Sequence, residues 1–164
     1  MIKKMFFGLA MLALVCAGSW YYIHQNQAQA VKAEARKTYI QSSSPTIFFH
    51  GWGSSSRAER HIANAAKKAG VTQTIIEAKV AEDGTVTLKG TIPKDAVNPI
   101  VLVNFDNNRG ASTQDQGNYA YAVVKALQDT YGIKEMNMVA HSYGNMAIVY
   151  YMLQHGSDTS LPKL

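Results

Sequence analysis

Cysteine is nearly missing from this chain. The single one, Cys16, lies inside an apolar run near the N-terminus, so no disulfide can form within the part that follows. Lipid attachment at Cys16 is disfavoured as well, because Val15 and Ala13 stand where a lipoprotein signal wants a small residue and a leucine. The five histidines are scattered and give no metal-ligand spacing, which argues against zinc. No metal or other cofactor is expected. A basic face studded with aromatics is lacking, as is any nucleic-acid motif, so nucleic acid is not expected as a partner. The formal net charge of +5 comes partly from Lys3, Lys4, Lys32, Arg36 and Lys37, all upstream of the first plausible strand. It fits membrane flanks better than a binding surface. Internal repeats and low-complexity tracts are absent too.

What is present begins with an export pattern. Lys3 and Lys4 precede the apolar run Met5 to Ala17, and Trp20, Tyr21 and Tyr22 follow it. Residues 1–30 therefore read as a signal peptide or a membrane anchor. If Ala28-Gln29-Ala30 is a cleavage site, the mature chain begins at Val31. If it is not, Met5 to Ile23 is long enough to span a bilayer, with the aromatic cluster at the interface. An uncleaved anchor is the favoured reading, and either fate places the rest outside the cytoplasm, membrane-anchored or secreted. Residues 31–44 read as a polar linker, with a short helix around Ala28 to Lys37 as the other possibility.

Residues 45–164 read as an α/β domain. Thr46 to His50 is a short buried strand closed by Gly51. After the loop GWGSSS, Ser56 and Glu59 fit a capping box, and Ala58, Ile62, Ala65 or Ala66, and Ala69 recur at helical spacing until Gly70. Thr72 to Lys89 reads as a hairpin turning at Glu82-Asp83-Gly84. Ile100 to Phe105 is apolar enough for a strand buried on both faces. A helix over Asn118 to Tyr131, a strand over Glu135 to His141 and a helix over Asn145 to Gln154 complete the order. Strands alternating with helical crossovers predict a mostly parallel sheet. The last helix is so apolar that it is expected to be covered on most sides.

Two loops carry chemistry. In Ala140-His141-Ser142-Tyr143-Gly144 a serine sits between small residues two positions away on either side, after a predicted strand and before a predicted helix. That is the context a nucleophile elbow requires, because the turn is cramped and the helix N-terminus faces the developing oxyanion. Upstream, His50-Gly51-Trp52-Gly53 follows the first core strand. Through these two strings, HGWGSS and AHSYGN, the stretch Pro45 to Gly156 resembles the alpha/beta-hydrolase superfamily. Within it, the chain is similar to exported cell-surface hydrolases of Gram-positive bacteria that carry a lipase-like domain behind an N-terminal hydrophobic segment. The resemblance implies Ser142 as nucleophile and the backbone N–H groups of Tyr143 and Trp52 as the oxyanion hole. His50 would brace its loop, with Gly51, Ala140 and Gly144 as structural support. An ester-type small molecule or lipid would be the substrate.

The superfamily places its acid and its catalytic histidine after the nucleophile. Downstream of Ser142 only His155 and Asp158 are candidates, and His155 lies about 20 Å away along one helix at 1.5 Å per residue. The expectation is a C-terminally truncated hydrolase domain, with its last strand unpaired along one edge and the product prone to aggregate. A catalytically inactive, membrane-tethered binding protein on the same scaffold is the alternative. His155 reads as a helix-end residue bonding terminal carbonyls, and His141 as a packing or hydrogen-bonding residue, with an improvised base as its other reading. His61 and His24 read as surface or linker residues. Asp106 reads as a loop-start residue that could instead line the site. Asn107, Asn108 and Arg109 read as solvated loop, with contact to an anionic substrate as the alternative.

Overall fold

The computed structural model describes the backbone over residues 2–164 and the side chains over residues 13–164. The chain divides into two units, one ending at Tyr39 and the other running Ile40–Leu164.

The first unit is one helix, α1, Ile2–Thr38, about 55 Å long at 1.5 Å per residue. It takes in both the end of the apolar run and most of the stretch expected as a linker; the short helix considered around Ala28 to Lys37 is part of it. Trp20, Tyr21, Tyr22 and Ile23 are exposed on it. Among the described residues no helix is long and apolar enough to cross a membrane. The first residues of the expected span, 5–12, have side chains outside the described set.

The second unit is built on β1 (Thr46–Phe49), α2 (Arg57–Lys68), β2 (Ile75–Val80), β3 (Val86–Lys89), β4 (Ile100–Phe105), α3 (Thr113–Tyr131), β5 (Asn137–Ala140), a short 3-10 turn (Ser142–Gly144) and α4 (Asn145–His155). The strands form one sheet in the order β3-β2-β4-β1-β5. The β1–β4, β1–β5 and β2–β4 pairings are parallel, and only the β2–β3 hairpin is antiparallel. The sheet is thus mixed, with the antiparallel strand β3 at one edge and four parallel strands making up the rest. Val101, Leu102 and Val103 of β4 are wholly buried, as a strand covered on both faces requires.

One face of the sheet packs Phe49, Val80, Val103 and Phe105 against Val123, Val124 and Leu127 of α3 and Ala147 and Tyr151 of α4. The other packs Leu102 and Ile100 against Ala63 of α2. Full burial of each large apolar side chain contributes roughly 1.5–3 kcal/mol. Helices α3 and α4 approach closely because Gly117 presents no side chain: a Cβ there would meet Tyr150 Cβ at 2.7 Å.

Three helix expectations need correction. Ser56 makes no side-chain cap bond on α2; its hydroxyl donates to Glu77 at 2.8 Å, and the capping box stands instead at α3, between Ser112 and Asp115. Helix α3 consequently starts at Thr113, five residues before the expected start at Asn118. The buried face of α2 is Glu59 and Ala63, while Ile62 is 50% exposed. On α4 only Ala147 and Tyr151 are buried, and Leu153 is 74% exposed, so that helix is not covered on most sides. Along β5, Met136 and Lys163 bond at 2.8 Å at the start of the strand; beyond that, the side facing away from β1 has no strand neighbour among the described residues.

Candidate active site at the ends of β1 and β5

Because β1 and β5 are parallel neighbours, the loops that leave their carboxyl ends come together. After β5 the backbone stays extended at His141 (φ −122°, ψ 152°) and turns at once into the 3-10 turn. The reversal falls on Ser142, whose φ is 53°; Asn98 is the other non-glycine residue with positive φ among those described. An L-residue in that region costs roughly 1–2 kcal/mol. Gly144 explains why the turn tolerates no side chain two residues on: a Cβ there would lie 2.6 Å from the carbonyl oxygens of both Phe49 and His50. Asn145 holds the turn from the helix side by donating to the Ser142 carbonyl at 2.8 Å.

The loop after β1 touches this turn at Gly51. A Cβ on Gly51 would meet Nε2 of His141 at 3.0 Å and Cβ of Ser142 at 3.1 Å. The Trp52 backbone N–H has no acceptor among the described residues, and Tyr143 lies in the first turn of its helix, where N–H groups lack intrahelical partners. Both expected oxyanion donors therefore belong to loops in contact beside Ser142. Trp52 itself is 59% exposed.

His50 is buried and both its nitrogens are engaged. Nε2 accepts the Phe105 N–H at 3.0 Å, which requires a lone pair there, so Nδ1 carries the proton and donates to the Gly51 carbonyl at 2.9 Å. Burial pushes its pKa down, and the bond to Gly51 and the Glu59 charge only partly offset this. The ring ties the end of β1 to the end of β4 as a neutral group.

The β4–α3 loop also braces the β1 loop. The Gly53 N–H donates to the Asn108 carbonyl at 2.8 Å, and Asn108 Nδ2 donates to the Ser54 carbonyl at 2.7 Å. Asn107 closes its own turn by accepting from Gly110 at 2.9 Å. These two asparagines are half-buried bracing groups, not solvated loop. Asp106 pairs with Lys79 at 2.9 Å.

A contact the sequence did not disclose lies behind the serine. His141 Nδ1 donates to Oε1 of Glu59 at 2.6 Å, and Glu59 is buried, with its Oε2 lacking a partner among the described residues. The only sequence signal at Glu59 was the Ser56–Glu59 spacing, which pointed to a capping box. The downstream candidates stay apart from this site. His155 stacks on Tyr121 with centroids 4.2 Å apart and makes no hydrogen bond to terminal carbonyls among the described residues. Asp158 accepts from the Ser160 hydroxyl at 2.6 Å. His61 bonds the Ala58 carbonyl on α2, and His24 lies edge-on to Trp20. Among the described residues no group of His, Cys, Asp and Glu could hold a metal ion.

With this geometry in place, comparison with known proteins becomes informative. Residues 33–164 match the family described as "Alpha/beta hydrolase of unknown function (DUF915)". The structure is similar to the lin2722 gene product of Listeria innocua, with 26% identity and a TM-score of 0.69 over 75% of this chain and 49% of that one. It is also similar in fold to a proposed cell surface hydrolase of Lactobacillus plantarum WCFS1, with 23% identity and a TM-score of 0.58 over 69% of this chain and 48% of that one. The chain spans about half the length of these two solved structures. Among curated proteins none matches.

Proposed function

The chain belongs to the DUF915 family of alpha/beta hydrolases, and from that premise we propose that it carries the nucleophile and oxyanion parts of a serine esterase acting outside the cytoplasm. Ser142 Oγ attacks the carbonyl carbon of an ester. The oxygen that becomes negative is met by the N–H groups of Trp52 and Tyr143; as the carbonyl re-forms, the ester C–O bond breaks and the alcohol leaves, and water later cleaves the acyl-serine to the free acid and Ser142. The observation that carries this reading is the strained φ of 53° at Ser142, held in a strand-to-helix turn against Gly51. Strain of this kind is retained where it positions a reacting group. Its substrate is assigned as a small-molecule or lipid ester on the strength of the fold family. The location rests on the order of charge, apolar run and aromatics at the N-terminus, with the segment Met5 to Ile23 serving as export signal or anchor.

The attacking serine must give up its proton. His50 cannot take it, since both its nitrogens are engaged, and His155 and Asp158 are occupied elsewhere. The reading therefore assigns neither the acid nor the base of a triad to these residues. An oxyanion hole alone retains part of the catalytic power of a serine hydrolase. Exposure of the folded protein to a fluorophosphonate is thus expected to modify Ser142 slowly, with no modification in S142A. Folded protein whose Ser142 stays unmodified after prolonged exposure would overturn the assignment.

A second reading, an inactive tethered scaffold that recruits a partner strand, is favoured by the bare side of β5 and the exposure of Val139 and Leu153. Unmodified Ser142 in a stable, monodisperse complex would select it.

A further inference from the structure

The guanidinium of Arg109 lies over the Trp52 indole, 5.1 Å from its centroid, while the indole N–H donates to the Arg109 carbonyl at 3.1 Å. The two residues, 57 positions apart in the chain, thus hold each other twice. Trp52 is also the residue whose N–H the functional reading places in the oxyanion hole. Its two flanking glycines show what lies on either side. A Cβ on Gly51 would touch Ser142 Cβ at 3.1 Å, and a Cβ on Gly53 would touch Arg109 Nε at 3.1 Å. Two residues of chain span at most about 7 Å, so the serine and a fixed positive charge flank the same three-residue stretch of loop, Gly51 to Gly53.

Stacking occupies the face of the guanidinium and leaves its in-plane N–H donors free. Among the described residues no carboxylate lies within ion-pair distance of Arg109, and its side-chain nitrogens donate no hydrogen bond. Asp106, three residues earlier and the nearest acid in sequence, is taken by Lys79 at 2.9 Å. A loop that only needed closing already has the two bonds from Asn108. The stack therefore immobilises a cation whose hydrogen-bonding edge is open, which is the arrangement that reduces the entropic cost of binding an anion.

We propose that Arg109, held on Trp52, is an anion subsite, so that the ester this site takes carries a carboxylate or phosphate besides its scissile carbonyl. The proposal rests on the esterase reading for the position of that carbonyl. The anion could belong to a soluble ester or to a lipid headgroup.

The test measures binding, so that it does not depend on turnover. In a W20F background Trp52 is the sole indole, since the chain has two tryptophans. Its fluorescence is titrated with monoethyl glutarate and with neutral diethyl glutarate. The monoester is expected to bind roughly 10-fold or more tightly than the diester, the effect of one charge-assisted contact. R109Q should abolish the difference and R109K restore part of it, with circular dichroism showing each variant folded. A response to phosphatidylglycerol vesicles but not to phosphatidylcholine vesicles or the monoester, again lost in R109Q, would support the subsite and assign the anion to a headgroup. Equal binding of charged and neutral ligands in both formats, or a preference untouched by R109Q, would overturn it. Modification of Ser142 by fluorophosphonate separates the two ideas: a labelled serine without anion preference sinks the subsite alone, and anion preference beside an unreactive serine sinks the esterase reading alone.

Discussion

His141 and Glu59, 82 positions apart in the chain, meet at 2.6 Å between Nδ1 and Oε1. The bond fastens the start of α2 to the residue before Ser142, and it leaves Glu59 Oε2 buried without a partner among the described residues. Truncating Glu59 strands the histidine N–H. E59A is expected to lower unfolding free energy by about 1–3 kcal/mol, and E59Q, whose amide oxygen can still accept the bond, by less. Urea denaturation of the three proteins decides it; an E59A midpoint equal to that of the wild type would show that the contact carries no stability.

Ser142 is expected to cost stability for the sake of its position. Glycine adopts a φ of 53° without the Cβ penalty of roughly 1–2 kcal/mol, less about 0.5–1 kcal/mol for its greater freedom in the unfolded chain, so S142G should raise unfolding free energy by roughly 0.5–1 kcal/mol while removing the hydroxyl. S142A removes the hydroxyl and keeps the penalty. Thermal unfolding of both variants tests this: S142G no more stable than S142A would mean that the turn is unstrained.

Gly144 offers the opposite case. G144A drives a methyl group against two carbonyl oxygens at 2.6 Å, and overpacking of this kind costs typically 1–3 kcal/mol. At Gly132, where φ is 65° and nothing lies within 4 Å, alanine brings only the backbone penalty. G144A should therefore lose more stability than G132A and should also slow modification of Ser142. Equal losses would mean that the β1 end does not confine the elbow.

His50 gives the domain a pH dependence. Its pKa is depressed in the folded state by burial, so below the ordinary histidine value of 6.5 the unfolded chain binds more protons than the folded one. Its contribution is complete above that value and declines as pH falls through the region beneath it. Unfolding free energy measured from pH 7.5 to 5.5 should fall towards acid. Asp83 and Asp158, also depressed, act only in the carboxylate range further down. An H50Q variant with the same slope would assign the effect to another group.

The side of β5 that has no strand neighbour among the described residues predicts self-association of this chain. Val139 is 42% exposed there and Leu153 of α4 is 74% exposed, and an uncovered strand edge beside apolar surface invites pairing. V139K and L153K should lower the apparent mass seen by light scattering at a given concentration, while an unchanged mass would remove the edge as the cause.

Periodicity and turn chemistry made most of the elements legible. The apolar run Ile100 to Phe105 is β4 with the same bounds, and Gly132, with positive φ, caps α3 where the sequence placed the stop. The elbow string likewise found a strand before it and a helix after it. Less was legible where side chains have two uses. Ser56 and Glu59 could cap a helix locally or bond distant groups, and in the fold they bond Glu77 and His141. The face of α2 turns accordingly, burying Ala63 and exposing Ile62.

By itself the sequence determined the alternation of strands and helices, the places where backbone must turn, and the two short strings that stand in the loops after β1 and β5. Each depends on interactions within a few residues, and spacing records them. Tertiary structure decided the rest. It set β1 beside β5, gave His50 its neutral tautomer by presenting the Phe105 N–H, put Glu59 behind His141 and laid Arg109 on Trp52. These contacts join residues about 50 to 90 positions apart, where partner choice follows the order of strands in the sheet and leaves no local pattern to read.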